Sequence, residues 1–174
     1  MSMGNPQHAS GSTREPTVGW VFRAPWRILA FGFGSGLPHP ASGTWGTLFA
    51  WLLWFLLLRH ASDALVGGIL IVAFAVGCWA CHVTGRELGH PDYGGMVWDE
   101  IVAFWLVLWL VPASFGAQLL AFVIFRAFDI TKPPPIHFFD ARIKNGFGVM
   151  WDDILAAGYT LLVMAVLIRL RGLL

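Results

Sequence analysis

The stretch ALVGGILIVAFAVGCWACHV, at residues 64–83, decides the fold class. It contains no Asp, Glu, Lys or Arg, and it matches the roughly 20 residues that an α-helix needs to cross the hydrocarbon of a bilayer. Arg86 and Glu87 follow it closely. These residues predict a transmembrane helix that ends near a membrane surface.

The composition of the whole chain agrees with this prediction. Of the 174 residues, 57% are hydrophobic and 12% are charged, against roughly 25% charged in an ordinary soluble domain. The net charge is only +1, so it indicates no nucleic-acid partner. We expect a mobile N-terminal tail at residues 1–25, rich in Gly, Ser, Thr and Pro, followed by one membrane domain at residues 26–174. The tail has no apolar core of signal-peptide length, so the later segments must direct insertion.

Four more apolar segments accompany the first, at residues 48–58, 101–111, 117–125 and 154–168. The middle two are each shorter than the usual minimum of about 17 residues. They form either two short helices or one helix kinked near Pro112, and we favour two. The sequence thus predicts an all-α polytopic bundle of about five spans, two of them short.

The basic residues predict the orientation of these spans. Eight fall on one side of a five-span chain (Arg14, Arg23, Arg27, Arg86, Arg126, Lys132, Arg142 and Lys144), and three fall on the other (Arg59, Arg169 and Arg171). The positive-inside rule makes the first side cytoplasmic. Most carboxylates lie on that side too, whereas a single kinked middle helix would separate Asp99 and Glu100 from the others.

Six acidic residues lie beside apolar ones and are the strongest candidates for chemistry: Asp99, Glu100, Asp129, Asp140, Asp152 and Asp153. Ionised carboxylates in such surroundings are costly unless they are paired or bind a metal. Clustered oxygen ligands suit Mg²⁺ or Mn²⁺. The alternative is that they are solvated helix caps, as for Asp152 and Asp153 at the expected start of the last helix.

Glycines are frequent before the first apolar segment, in GFGSG at residues 32–36 and GTWGT at residues 43–47. Backbone amides in such loops can approach an anion closely, which makes Ser35, Gly36 and Thr44 candidates for phosphate binding. The spacing is not that of a nucleotide-binding P-loop. The alternative is close packing of membrane helices, which small residues also permit.

The stretch FRAFDITKPPP, at residues 125–135, ends the fourth segment with three prolines. Lys132 and Arg126 are suitable partners for a phosphate, and Asp129 is a candidate ligand for the cation that screens it. Arg126 has an equally good alternative, which is to extend towards lipid headgroups.

Covalent catalysis by cysteine or by a Ser-His-Asp set is not indicated. Cys78 and Cys81 are expected to be small buried apolar residues without a disulfide. The histidines His39, His82, His90 and His137 are scattered along the chain, and structural roles are expected for them.

Together these segments resemble the phosphatidylglycerophosphatase A family. The resemblance covers residues 31–158 and is carried by residues 32–36, 43–48, 97–100, 125–136 and 146–158, with Asp140. Three positions depart from the family pattern, where Ser42, Ala103 and Asn145 stand in place of proline, glycine and glycine.

The resemblance implies a Mg²⁺-dependent phosphatase of the bacterial inner membrane that converts phosphatidylglycerophosphate into phosphatidylglycerol, with its active site facing the cytoplasm. It implies a catalytic role for Asp99, Glu100, Asp129, Lys132, Asp152 and Asp153. The implied cation ligands are Asp99, Glu100, Asp129, Asp140, Asp152 and Asp153, and Lys132 is an implied phosphate contact. Attack by water and an aspartyl-phosphate intermediate both remain open.

Two other functions compete with this hypothesis. A cation- or proton-coupled transporter would also carry acids near its helices, but the repeated broken helices typical of many transporters are not found. A phosphatidyl-transferring enzyme of the CDP-alcohol type would need Asp-Gly-x-x-Ala-Arg and spaced aspartates, a pattern that Asp140-Ala141-Arg142 does not fit.

Overall fold

The computed structural model describes residues 16–134 and 136–171, except for the side chains of residues 139–141 and 171. All regular elements in this part of the chain are helical. The helices are α1 Val18–Val21, α2 Pro25–Ala30, α3 Ser42–Leu53, α4 Asp63–Leu88, α5 Trp98–Leu110, α6 Phe115–Thr131, α7 Ile136–Arg142 and α8 Gly146–Arg171, with a 3₁₀ turn Gly32–Gly34 before α3 and a π-helical turn Trp54–Leu58 after it. The prediction of an all-α fold is confirmed for the described residues.

Helix α5 lies at the centre of the bundle. Ten of its 13 residues are buried, and it packs against α3, α4, α6 and α8. Two tryptophans keep their polar atoms satisfied in these contacts: the Nε1 atom of Trp98 donates to the carbonyl of Ala73 on α4, and that of Trp105 donates to the carbonyl of Ala50 on α3, both at 3.0 Å. Because the neighbouring helices cover most of its surface, α5 need not span the full thickness of a bilayer. Its length of 13 residues is therefore compatible with a place inside a membrane bundle.

The outer surface of the bundle is apolar. Ile71, Phe115 and Leu57 are 73%, 72% and 69% exposed, and exposed apolar area on this scale marks a binding or membrane surface. The helices Asp63–Leu88 and Gly146–Leu170 are long and apolar enough to cross a membrane, and Ser42–Leu58 is a shorter apolar helix. The two middle segments form separate helices, α5 and α6, as predicted.

The last helix begins earlier than the hydropathy indicates. It starts at Gly146 rather than near residue 154, because Asn145 caps it: the Asn145 side-chain oxygen accepts from the amides of Phe147 and Gly148, each at 3.0 Å. Asp152 and Asp153 consequently lie inside α8. The interpretation of these two residues as N-terminal caps is wrong.

Other boundaries also move towards the N-terminus. Helix α3 starts at Ser42, so residues 43–47 are helical rather than a loop. Helix α1 falls within the segment predicted as a tail, and its Val21 is buried. Residues 1–15 of that segment lie outside the described residues.

Candidate active site

Three carboxylates meet where α5 begins. Asp99 and Glu100 stand in the first turn of α5, and Asp153 reaches them from α8. One carboxylate oxygen from each of the three lies within 4.8 Å of the others. Their residues are only 7%, 9% and 3% exposed, so the cluster is almost closed to water.

Each of these carboxylates also has an unsatisfied oxygen. Asp99 Oδ1, Glu100 Oε2 and Asp153 Oδ2 are buried without a hydrogen-bond partner, although buried polar atoms in proteins almost always have one. Three adjacent negative groups in a medium of low dielectric need compensating positive charge. Hard oxygen donors in this arrangement fit a divalent cation such as Mg²⁺, so the residues present suit the predicted metal.

Lys132 provides a positive charge beside the cluster. It follows the last residue of α6 in a left-handed conformation, with φ of 40°, and its amide donates to the Phe128 carbonyl at 2.8 Å. Its ammonium group pairs with Asp152 on α8, next to Asp153. The end of α6 and the second turn of α8 are therefore joined at the site.

Arg126 links Asp129 to the same cluster. Its Nη1 atom is 2.6 Å from Asp129 Oδ2 and 3.5 Å from Glu100 Oε1, and it donates to the Thr47 hydroxyl on α3 at 3.5 Å. These side chains are largely buried, at 12% to 13% exposure for Arg126, Asp129 and Glu100. The structure thus brings Asp99, Glu100 and Asp153 together directly and joins Asp129 to them through Arg126. Asp152 stands next to Asp153 in the chain and pairs with Lys132. Asp140 belongs to α7, and its side chain lies outside the described part.

Gly43 makes the close approach of α3 to this site possible. A β-carbon at position 43 would collide with Glu100 Oε1 and would come within 2.8 Å of Arg126 Nη2. Thr44, a predicted phosphate contact, follows in the same helical turn and is half-buried.

Ser35 and Gly36 are involved in loop contacts. The Ser35 hydroxyl donates to the Gly32 carbonyl at 2.8 Å, and a β-carbon on Gly36 would collide with the Gly95 carbonyl. The first contact closes the turn before α3, and the second shows that this turn lies against the loop before α5. Phosphate binding by Ser35, Gly36 and Thr44 stays a prediction.

Helix α4 buries a residue near the acids, Cys81, that the sequence analysis did not select for the site. The Cys81 thiol is buried within electrostatic range of Asp99 and Glu100, and the Thr84 hydroxyl, one turn further, is buried without a partner. Both cysteines are free, as expected. The nearly uniform apolar character of residues 64–83 concealed which face of α4 points at the acids.

Two departures from the family pattern have local explanations. The Ser42 hydroxyl donates to the Gly94 carbonyl in the loop before α5, and Asn145 caps α8. Ala103 is fully buried in α5. All three leave the carboxylate cluster intact.

The fold and the site define a class of protein: a helical bundle that encloses a cluster of carboxylates able to hold a metal ion, with a lysine and an arginine beside it. The chain belongs to the phosphatidylglycerophosphatase A family, whose model matches residues 28–168. The predictions of this family and of a phosphoric monoester hydrolase are confirmed at that level. The transporter alternative receives no support.

Curated relatives cover most of the chain. The phosphatidylglycerophosphatase A of Haemophilus influenzae is 45% identical over 141 residues, which are 80% of this chain and 86% of that protein. The phosphatidylglycerophosphatase A of Escherichia coli is 39% identical over 133 residues, 76% of this chain and 77% of that protein. A Bacteroides thetaiotaomicron protein provisionally named a phosphatidylinositol-3-phosphatase is 35% identical over 146 residues, 80% of this chain and 91% of its own length. No solved structure matches the chain.

Proposed function

We propose that this protein is a Mg²⁺-dependent phosphatase that hydrolyses phosphatidylglycerophosphate to phosphatidylglycerol and inorganic phosphate in phospholipid biosynthesis. The observation that carries the proposal is the cluster of Asp99, Glu100 and Asp153, each with a buried oxygen that lacks a partner. Family membership supports the phosphatase activity. The names of two relatives support the substrate.

The three clustered carboxylates would hold the cation. Asp152, Asp129 and Asp140 are the further proposed ligands, of which Asp152 is next to Asp153 and Asp129 reaches Glu100 through Arg126. When bound, Mg²⁺ supplies positive charge to the phosphate oxygens and lowers the pKa of a water molecule. The chain's own basic residues would complete the charge balance.

Lys132 and Arg126 have different proposed roles. The Lys132 ammonium group, 26% exposed at the edge of the cluster, would bind a phosphate oxygen and stabilise negative charge on the group that is transferred. Arg126 is more deeply held between Asp129, Glu100 and Thr47. It would chiefly orient these carboxylates, with its guanidinium edge available to the phosphate.

We place the site at the cytoplasmic face of the bacterial inner membrane, in a bundle whose five crossings would be α3, α4, α5, α6 and α8. The apolar outer surface supports membrane insertion, and the larger number of basic residues at the site end supports this orientation. The substrate's chains would then lie among lipids, with its phosphate at the depth of the acids.

Phosphate release tests the enzymatic proposal. The purified protein is expected to release phosphate from phosphatidylglycerophosphate only with Mg²⁺, to lose this activity with a chelator, and to prefer this substrate to phosphatidic acid. Absence of metal-dependent release would refute the proposal. Trapping of an acyl phosphate would show an aspartyl-phosphate intermediate, whereas inversion of configuration at phosphorus with no trapped species would indicate direct attack by water.

Cysteine labelling tests the topology. In a background without Cys78 and Cys81, His90→Cys and Lys144→Cys are expected to react from the same side of the membrane. His60→Cys is expected to react from the other side. Labelling of positions 90 and 144 from opposite sides would contradict the five crossings and the shared site.

A further inference from the structure

One face of the first two turns of α3 meets the start of α5. A β-carbon on Gly43 would collide with Glu100 Oε1, and one on Gly46 would come within 2.6 Å of Val97 Cβ. Thr47 is fully buried, and it shares a face with Gly43 because residues four apart are neighbours on a helix. This part of the GTWGT sequence therefore lies against the carboxylate site.

The Thr47 hydroxyl has one proton, and the helix backbone takes it. The hydroxyl donates to the Gly43 carbonyl at 2.7 Å, a bond that threonines inside helices often form with the carbonyl four residues earlier. A hydroxyl has one donor and two acceptor lone pairs. The Thr47 oxygen is therefore left to accept from other groups, and the side chain that donates to it is Arg126.

A single nitrogen of Arg126 meets acceptors from three helices, its own included. Its Nη1 atom is 2.6 Å from Asp129 Oδ2 on α6. The same atom is 3.5 Å from Glu100 Oε1 on α5 and 3.5 Å from the Thr47 hydroxyl on α3. Because Nη1 carries two hydrogens, the short contact with Asp129 leaves one hydrogen for the two longer contacts. Thr47 thus helps to hold the guanidinium group in place.

Another donor of the same guanidinium group is unused. Arg126 Nε is buried without a hydrogen-bond partner among the described residues, and a buried donor of a charged group is costly to leave unpaired. The guanidinium group is planar and rigid, so contacts that restrain Nη1 also restrict the direction of the Nε–H bond. An acceptor from outside the chain, such as a phosphate oxygen, would satisfy it.

The geometry points to Thr47 as a positioning residue that acts through Arg126, an assignment that rests on the proposed function. Its hydroxyl keeps the guanidinium group between Glu100 and Asp129, so that both carboxylates stay oriented and Nε remains available to the phosphate. At 3.5 Å the hydrogen bond is long, so its contribution is orientation rather than tight binding. A purely structural threonine would do no more than bond to the Gly43 carbonyl.

Thr160 on α8 provides a matched control for that structural role. It is also fully buried, and its hydroxyl donates to the Ala156 carbonyl at 2.8 Å. No basic side chain among the described residues donates to it. Thr47→Val and Thr160→Val therefore each remove a hydroxyl that bonds to a helix carbonyl, whereas only Thr47→Val also removes an acceptor from Arg126.

Turnover of phosphatidylglycerophosphate by the full-length protein with Mg²⁺ is the first test. We expect Thr47→Val to lower kcat about fivefold, because the arginine and its carboxylates lose orientation. Thr47→Ser keeps the hydroxyl and should restore most of that loss, and Thr160→Val should match the wild type. Wild-type kcat in Thr47→Val, or an equal loss in Thr47→Ser, would overturn the assignment. Absence of phosphate release by the wild type would instead refute the proposed function.

Thermal unfolding in chelator tests the link to Arg126 independently of turnover. Thr47→Val should lower the unfolding temperature more than Thr160→Val, because it leaves a buried cation with one acceptor fewer. In an Arg126→Met background the two valine substitutions should lower it equally, since the coupled partner is gone. Equal losses in the wild-type background would overturn the assignment, and so would a difference that persists without Arg126.

Discussion

The two ends of α5 differ in whether nearby polar groups have hydrogen-bond partners. Where α5 begins, Asp99 and Glu100 join Asp153 with one oxygen each left unpartnered. Where it ends, polar groups are paired: the Trp109 indole donates to Asp63 at 2.9 Å, and the Trp51 indole donates to Gln118 at 2.8 Å. Pairing is what stability alone would favour. The unpartnered oxygens at one end therefore mark the end where a ligand would complete the structure.

The largest expected effect comes from neutralising one acid. Asp99→Asn or Asp153→Asn should lower phosphate release roughly 100-fold or more, because a ligand for the cation and its charge are lost. Without metal, each variant should unfold at the same temperature as the wild type or higher, since like charges no longer repel in the interior. Thermal unfolding in chelator measures this difference. Wild-type turnover in both variants would show that the cluster has no role in the reaction.

Removal of the lysine at the same end should have a smaller effect. Lys132→Gln should lower kcat about 30-fold, equivalent to ~2 kcal/mol for a charged hydrogen bond. Lys132→Arg should recover part of that loss, because it retains the charge. Steady-state kinetics distinguish the two variants. Identical rates in Lys132→Gln and the wild type would limit Lys132 to pairing with Asp152.

A methyl group at position 43 tests how closely α3 packs against Glu100 and Arg126 at the site. Gly43→Ala should lower the free energy of unfolding by about 2 kcal/mol through overpacking against Glu100 and Arg126, and it should lower activity as these groups shift. Gly116→Ala is the control, because a β-carbon there has no neighbour within 4 Å and alanine favours helix. Denaturation and phosphate release would be measured for both. Equal stability of the two variants would contradict the tight approach of α3.

The smallest effect is expected where α5 ends and the polar groups are hydrogen-bonded. Gln118→Ala should lower the free energy of unfolding by about 1 kcal/mol, because Trp51 loses its hydrogen-bond acceptor, while activity should stay unchanged. Denaturation and phosphate release would measure these two effects. A loss of activity comparable to that of the acid variants would remove the distinction between the two ends.

The sequence predicted which residues form the site better than it predicted how the helices arrange them. Acidic residues next to apolar ones predicted the cluster at Asp99, Glu100 and Asp153, since such charges need a partner. The start of α8 was missed because glycines at positions 146 and 148 resemble a helix break, and the cap by Asn145 offsets them.

The roles of Gly43 and Cys81 were not predictable from the chain alone. Each depends on which helix face meets a distant segment, and the apolar sequences around them carry little periodicity. The link between Arg126 and Thr47 joins residues 79 positions apart and likewise left no local pattern.

The site draws Asp153 from the last long helix, whereas Asp99 and Glu100 are made some fifty residues earlier. During synthesis these earlier acids therefore exist before their third partner does. A nascent chain is thus unable to assemble the cluster until α8 has inserted and packed on α5. Packing of α8 on α5 is thus the step that completes the carboxylate cluster.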